Sequence, residues 1–456
     1  MRSLLLGTLA MLLAPLGALA QSESGPVRRI GLGSCIHQEK PQPIWDAIHA
    51  AKPEVFLLLG DNIYGDSSDM EVIRKKYQKA KEVPGYAKLF RDCKIQATWD
   101  DHDYGRNDAG VEFEGKKGAQ QLFCDFLDLP ANDPLRKQEG IYNAKMYGPE
   151  GKRVQVILLD GRYHRSPIQK GGPENGYLPN TDPDATFLGE AQWKWLEEQL
   201  KQPAEVRLIG SGIQVLSEDH PYEKWATIPA ERKRLFQLIK DTQAKGVILL
   251  SGDRHLAELS VSSDAVGYPL YDLTASGLNQ ASKTWRAPEK NRYRVGGMPY
   301  GDHFGMIDID WSVADPIIRL QIRDDQGEVT VQQKISLSTL QPRSTARAPR
   351  TPTETLPGVL TPAEAFEKRN VRATVEMKVQ STGKGGPFFY LNSERSFRTK
   401  TNFTVAIALD DLPEGKDTVT GEKYLNKTIR ATGMITQSNN GPRLIIRDLN
   451  DLKVNP

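Results

Sequence analysis

Short apolar runs punctuate the first two thirds of the chain: Arg29–Ser34, Val55–Leu59, Ile95–Trp99, Val154–Leu159, Val206–Ile209 and Val247–Leu250. Runs of this length, bounded by Gly and polar residues, suit strands buried on both faces. Between them lie segments with helical spacing, Ile44–Ala51, Glu71–Glu82, Ala119–Leu127, Gly189–Gln202 and Ala230–Ala244. In the Gly189 segment Trp193, Leu196 and Leu200 share one face while Glu190, Glu197 and Glu198 face water, which marks a core-facing helix rather than a binding surface. Strands alternating with helices predict an α/β layered domain over residues 27–338, with helices outside the sheets. Tyr268–Thr274 and Gly305–Asp310 read as its later strands.

From residue 339 to 361 the pattern dissolves into Pro342, Pro349, Pro352 and Pro357 with Ser and Thr between them, the composition of a linker. Beyond it Val371, Ala373, Val375, Met377 and Val379 alternate with Arg372, Thr374, Glu376 and Lys378, as a half-buried strand does. Phe388–Asn392, Phe403–Ala408, Ile429–Ile435, Arg443–Arg447 and Leu452–Val454 are further strand candidates. Residues 362–456 are therefore expected to form a small all-β barrel.

Length and composition sharpen this division. At 456 residues the chain exceeds one typical core, and two domains are expected. Residues 1–20 carry Arg2, an apolar stretch from Leu4 to Leu19 and a closing Ala18-Leu19-Ala20, the pattern of a secretory signal peptide cleaved after Ala20. A periplasmic or secreted protein is the expectation. Pro15 and the polar residues after Ala20 argue against a retained anchor, and no later run is long enough to span a bilayer. Three cysteines, Cys35, Cys93 and Cys124, exclude a disulfide scaffold; at most one pair can form, and Cys35 is expected to stay free. The net charge of +2 hides an asymmetry: residues 360–456 carry 15 basic against 11 acidic side chains, and residues 21–340 are net acidic. A mildly basic tail behind an acidic domain is a modest hint about partners.

The candidate chemistry sits where the predicted strands end. Gly33-Ser34-Cys35, Gly60-Asp61-Asn62-Ile63-Tyr64, Trp99-Asp100-Asp101-His102-Asp103 and Gly252-Asp253-Arg254-His255 each follow an apolar run. In α/β proteins the ligand site lies beyond the carboxyl ends of such strands. Asp, His, Tyr and Cys gathered there make a site for more than one cation, because carboxylates can bridge two metals while phenolate and imidazole hold a transition metal. Each motif alone is ordinary, since an acidic turn is usually solvated and a strand Cys usually fills the core. Four such endings in one domain are not ordinary.

The segments GDNIY, ATWDDHDYGRND, LLDGRYHR, LGEAQWKWLEEQL, GSGIQVL and LLSGDRHLAE, in this order, resemble the PhoD-like alkaline phosphatase family of the calcineurin-like metallophosphoesterases, over roughly Arg28 to Asp310. The resemblance implies a four-layer α/β/β/α sandwich and a metal cluster of iron (Fe3+) with calcium (Ca2+), other divalent metals remaining open. It implies metal contacts from Cys35, Asp61, Tyr64, Asp100 or Asp101, Asp253 and His255. GDNIY is also similar to the G-D-x-x-Y of the purple acid phosphatases, whose Tyr binds ferric iron. DDHD stands where the wider superfamily has G-N-H-D/E, which maps a ligand to Asp101 and the catalytic His to His102; between Asp100 and Asp101 the direct ligand stays open. The chain departs from the family in three places. LLDGR replaces the common LLDTR, keeping Arg162 without the Thr. Asp253 replaces the first His of the superfamily's G-H-x-H, as suits a harder, oxygen-preferring metal. Cys35 follows the expected cleavage by only fifteen residues, which leaves no room for the N-terminal domain of longer members.

The expected reaction is hydrolysis of phosphomonoesters and/or phosphodiesters by attack of a metal-bound hydroxide, with cations neutralising the phosphoryl oxygens. Asp61 is the natural bridging carboxylate, His102 the proton donor to the leaving oxygen, and Arg162 a bidentate phosphate clamp. The plainer alternatives are a structural His102 bonded to a neighbouring acid, and an Arg162 ion-paired with Asp160 or Asp103. Two other readings are a secreted nuclease, whose basic tail delivers a polyanion, and a binding protein with a degenerate metal site, against which the intact donor set argues. The tail, with Phe388, Phe389, Tyr390, Phe397 and Phe403 on alternating strands, resembles OB-fold domains of the nucleic-acid-binding kind, which implies a polyanion or nucleic-acid partner. Those aromatics filling the barrel, or a sugar or protein ligand, are the competing expectations.

Overall fold

The computed structural model describes residues 25–172, 176–285, 287–342, 355–368, 371–385, 388–409, 412, 419–438, 441–446 and 448–455. The signal peptide expected over residues 1–20 lies outside the described residues, as do residues 343–354 of the expected linker. The chain divides into two compact units between Arg343 and Ser344.

In the first unit Val55–Leu59 is buried at every position and pairs in parallel with Arg29–Gly33 on one side and Lys94–Thr98 on the other. Its side chains alternate between two layers. Val55, Leu57 and Leu59 enter the apolar cluster shared with the second sheet, whereas Phe56 and Leu58 enter the cluster beneath the outer helices with Trp45, Tyr86 and Phe123. Burying each such Leu or Phe contributes about 1.5–3 kcal/mol. The first sheet runs Val329–Ser336, Ile317–Asp324, His303–Asp310, Arg29–Gly33, Val55–Leu59, Lys94–Thr98. The second runs Arg294–Val295, Ala257–Ser262, Leu270–Ala275, Val247–Ser251, Val206–Ser211, Val154–Leu158, Asn143–Tyr147. Helices Gly189–Lys201 and Pro229–Asp241 bury Trp193, Leu196, Leu200, Leu235 and Ile239 in the same cluster as the second sheet. The result is the four-layer α/β/β/α sandwich.

Local chemistry sets the helix ends. Asp69 accepts from the Glu71 amide at 2.9 Å and so starts helix Met70–Glu82. A helix absent from the sequence reading, Pro84–Asp92, starts on a proline, which fits the first turn because it has no amide to satisfy. All three cysteines are free thiols, Cys35 and Cys124 buried.

The second unit is one eight-stranded sheet in the order Thr355–Leu360, Val371–Lys378, Thr428–Ser438, Gly441–Ile446, Thr404–Ala408, Phe388–Asn392, Ser381–Gly385, with Leu452–Asn455 also paired to Thr428–Ser438. No pairing closes it among the described residues, so the closed barrel expected from the sequence is not what is seen. The reason lies in the segment assigned by composition to the linker. Thr355–Leu360 pairs in parallel with Val371–Lys378 and occupies the edge that Ser381–Gly385 would need for closure. The structure also sorts the five tail aromatics: Phe389 and Phe403 belong to the apolar core, while Phe388, Tyr390 and Phe397 do not.

Candidate metal centre

The carboxyl ends of the parallel strands in both sheets meet at one edge of the sandwich. The Ser34 amide donates to Ala275 O at 3.1 Å and the Leu278 amide to Ser34 O at 3.1 Å, stitching the two sheets together there. Four of the sequence-predicted donors sit on left-handed backbone just past their strands: Cys35 (φ 60°), Asp61 (51°), Asp253 (71°) and His255 (53°). This conformation is uncommon for residues with a Cβ and marks local strain that the surrounding fold imposes. Two glycines make room for Asp100. A Cβ on Gly60 (φ 96°) would lie 2.5 Å from Asp100 Cβ, and one on Gly212 would lie 2.6 Å from its Oδ1.

The donors fall into three overlapping groups, each with its ligand atoms within 4.8 Å of one another: Cys35, Asp61 and His255; Asp61, Asp101 and His102; Asp100, Asp101 and Asp253. Asp61 belongs to two of them and Asp101 to two. Tyr64 joins the first, its hydroxyl 2.8 Å from His255 Nε2 and 3.3 Å from Asp61 Oδ2, with Cys35 Sγ 3.4 Å from the same oxygen. The Tyr64 ring lies between those of His37 and His102, at centroid distances of 4.9 and 4.3 Å. Every residue predicted as a metal contact is therefore brought to one place.

Asp100 and Asp101 are held differently. Asp101 Oδ1 accepts from the His102 amide at 2.9 Å and Oδ2 from the Asp108 amide at 2.8 Å. Asp100 Oδ1 is taken by Arg162, whose Nε donates at 2.6 Å, and Asp100 Oδ2 is buried with no hydrogen-bond partner. Asp61 Oδ1 is orphaned in the same way. A buried, unpaired carboxylate oxygen costs several kcal/mol unless a cation takes it. Two such oxygens among a set of N, S and O donors fit a metal-binding site.

The electrostatics agree. Burial, reinforced by Asp101, pushes the Asp61 carboxyl well above the usual range, and burial does the same to Asp100 despite Arg162. Burial raises Asp253 to about 7. Asp101 goes the other way: burial opposes its charge, but Arg162 and His102 hold it below the usual range. Burial also pushes the Cys35 thiol and Tyr64 phenol well up. The protein alone thus resists ionising the cluster, and bound cations would supply the missing positive charge.

The two residues predicted as catalytic have different surroundings. His102 Nδ1 meets Asp66 Oδ1 at 2.6 Å, and its side chain is 17% exposed. Arg162 is not free to clamp phosphate, and its partners are neither Asp160 nor Asp103 side-chain charges. Its guanidinium is buried between Asp100 and Glu223, with Nη2 2.6 Å from Asp100 Oδ1 and Nη1 2.7 Å from Glu223 Oε2. From Arg162, Asp160 accepts only the backbone amide, at 2.8 Å, and it also takes the Tyr163 and Ile141 amides. Asp103 instead takes the Asp100 amide at 2.6 Å and the Asn62 amide at 3.1 Å, tying the loop after Val55–Leu59 to the short helix Asp101–Tyr104.

Sequence reasoning missed Asp66, Asp103, Glu223 and Arg165 as parts of this site. Glu223 also pairs with Arg165 Nε at 3.1 Å, making a buried Arg–Glu–Arg row. Asp103 and Arg165 lie inside the motifs above, and Asp66 lies two residues past GDNIY; Glu223 sits in a loop with no periodic signal.

A sequence model of the family described as PhoD-like phosphatase matches residues 31–271. No curated protein matches the chain. Among solved structures the chain is similar to one described as the structure of PhoD, at 15% identity over 70% of each chain with a TM-score of 0.55. It is more distantly similar to purple acid phosphatase PPD1 from yellow lupin (Lupinus luteus) seeds, at 12% identity over 69% of this chain and 54% of that one, TM-score 0.46. At these identities the likeness to solved structures concerns the fold, and it is the family match, lying over the four strand-end motifs, that fixes the chemistry. The chain belongs to the PhoD-like phosphatase family and is a phosphate-ester hydrolase.

Proposed function

We propose that the protein is an exported, periplasmic or secreted phosphoesterase that hydrolyses phosphomonoesters and phosphodiesters by direct attack of water, with Fe3+ and Ca2+ as its metals. The observation that carries the reading is the pair of orphaned carboxylate oxygens, Asp61 Oδ1 and Asp100 Oδ2, buried among the other donors. Export rests on the pattern of residues 1–20.

The donor chemistry divides the two cations. Cys35, Asp61, Tyr64 and His255 offer sulfur, phenol, imidazole and carboxylate together, a set that suits iron. Asp100, Asp101 and Asp253 offer oxygen only, which suits calcium. Asp61, which also groups with Asp101 and His102, would be the carboxylate available to both cations. When bound, the cations act as Lewis acids that activate water and neutralise the phosphoryl oxygens. The chain does the rest. Asp66 fixes His102 through Nδ1, which leaves Nε2 to hand a proton to the leaving oxygen. Arg162 holds Asp100 Oδ1 so that Oδ2 points where a cation needs it.

Hydrolysis of a phosphomonoester made chiral at phosphorus with three oxygen isotopes tests this reading. Direct in-line attack by water is a single displacement and inverts the configuration of the released phosphate. Net retention would show two displacements through a protein nucleophile and overturn the proposed route.

A further inference from the structure

The second unit carries a site of its own on the outward face of its sheet. Directly paired residues on neighbouring strands point to the same face. The register sets Gly383 beside Tyr390 and Gly385 beside Phe388 on one side, and Ala406 beside Tyr390 and Ala408 beside Phe388 on the other. Two aromatic rings, 6.0 Å apart between centroids, thus have only glycine and alanine as their directly paired neighbours. A Cβ on Gly383 would meet nothing within 4 Å, so the space beside Tyr390 on that strand is open there, whereas one on Gly385 would lie 3.3 Å from Tyr390 Cε2. The opposite faces of the same strands, Phe389, Leu391, Val405 and Ile407, make the core, so these outward rings are not needed to fill it.

Charge gathers around the rings. A cavity of about 750 Å³ lies against this face, lined by Tyr390, Phe397, Lys384, Arg395, Arg443 and smaller polar residues, with no acidic side chain among its lining. Arg443 stands 5.0 Å over the Phe388 ring, and its Nε has no hydrogen-bond partner. Among the described residues Lys384, Arg395 and Arg443 form no ion pair. Phe397 is 50% exposed at the same cavity. Three unneutralised cations call for an anionic ligand, and bare ring faces call for flat groups lying on them. Asn392 and Thr404 also line the cavity, the Thr404 hydroxyl donating to Asn392 Oδ1 at 2.9 Å.

We propose that this face binds single-stranded nucleic acid, with bases stacked on Tyr390 and Phe397 and backbone phosphates held by Lys384, Arg395 and Arg443, the last seated on the Phe388 ring. A single strand offers unpaired bases and regularly spaced phosphates together. A duplex keeps its bases stacked on each other, and an anionic polymer without bases would leave the rings idle. The site stands apart from the hydrolytic reading and does not depend on which esters are cleaved.

The test uses the full-length, metal-loaded protein and a fluorescent oligothymidylate with phosphorothioate linkages, which keep the charge and resist cleavage. Anisotropy is expected to show saturable binding that weakens with salt, the log–log slope being about −0.7 for each phosphate contact. Tyr390→Ala and the half-exposed Phe397→Ala are each expected to weaken binding about tenfold. Arg443→Gln should reduce the slope by about 0.7. All three variants should hydrolyse a small phosphomonoester at the wild-type rate. Absence of binding, equal competition by inorganic polyphosphate, equal binding of a duplex, or affinity unchanged in the ring variants would each overturn the proposal.

Discussion

Arg162 and Asp100 form a buried ion pair between the two sheets, with Nε and Nη2 both 2.6 Å from Oδ1 and both side chains 3% exposed or less. The pair leaves Asp100 Oδ2 as an unsatisfied acceptor available to a cation, and Glu223 balances the rest of the guanidinium. Arg162→Met would strip Asp100 of its buried cation and leave Glu223 with Arg165 alone, at an expected cost of about 3–5 kcal/mol in urea unfolding. Metal retention should fall with it, while Arg162→Lys should lose less of both. A variant with normal stability and metal content but a raised KM would instead make Arg162 the phosphate clamp suggested by sequence.

On the proposed reading Tyr64, whose phenol lies 2.8 Å from His255 Nε2, would bind the ferric ion. The loaded protein should then absorb visible light through tyrosinate-to-iron charge transfer, and Tyr64→Phe should abolish that band while leaving the fold intact. A band unchanged in the variant removes Tyr64 from the donors.

His102, oriented by Asp66, should matter in proportion to how badly the leaving group needs a proton. His102→Asn is expected to slow alkyl phosphate hydrolysis by roughly 10²–10⁴-fold. Hydrolysis of p-nitrophenyl phosphate, whose leaving group needs little help, should fall far less. Asp66→Asn should show the same preference, weakened. Equal losses on both esters would make His102 a metal ligand or a structural residue.

His303 offers a pH signature away from the donors. It is buried, its Nδ1 donates to Gly301 O at 2.9 Å, and burial lowers it to about 4 from an ordinary value near 6.5. Its folded value lies below the unfolded one, so between those two values the unfolded chain binds more protons. Stability from this group is therefore full above pH 6.5 and lost as pH falls toward 4, up to about 3 kcal/mol. His303→Gln should flatten the difference in Tm between pH 7 and pH 4.5 relative to wild type; an identical pH slope would assign the acid sensitivity to other groups.

Much of this was legible in the chain because Val55–Leu59 and its parallel neighbours are buried on both faces, which writes them as unbroken apolar runs ending in Gly-Asp or Ser-Cys. Elements at edges were not. Asn143–Tyr147 and Val329–Ser336 expose much of their length and carry no such run. Ser381–Gly385 is too rich in glycine to read as a strand, and Thr355–Leu360 reads as linker because Pro357 is tolerated on a sheet edge. At the site the donor types and order were visible, but the role of Arg162 was not. Its partner Glu223 lies 61 positions away in a loop, and only the fold brings them to 2.7 Å.

The central claim is that Asp61 and its neighbours hold the cations on which hydrolysis depends. Metal content and turnover measured on the same samples of wild type, chelator-stripped wild type and Asp61→Ala test it most directly. Wild type should carry two metals per chain, stripping should abolish hydrolysis until metal returns, and Asp61→Ala should fold yet lose both metal and rate. Full turnover in metal-free protein, or in Asp61→Ala with wild-type metal content, would contradict the account.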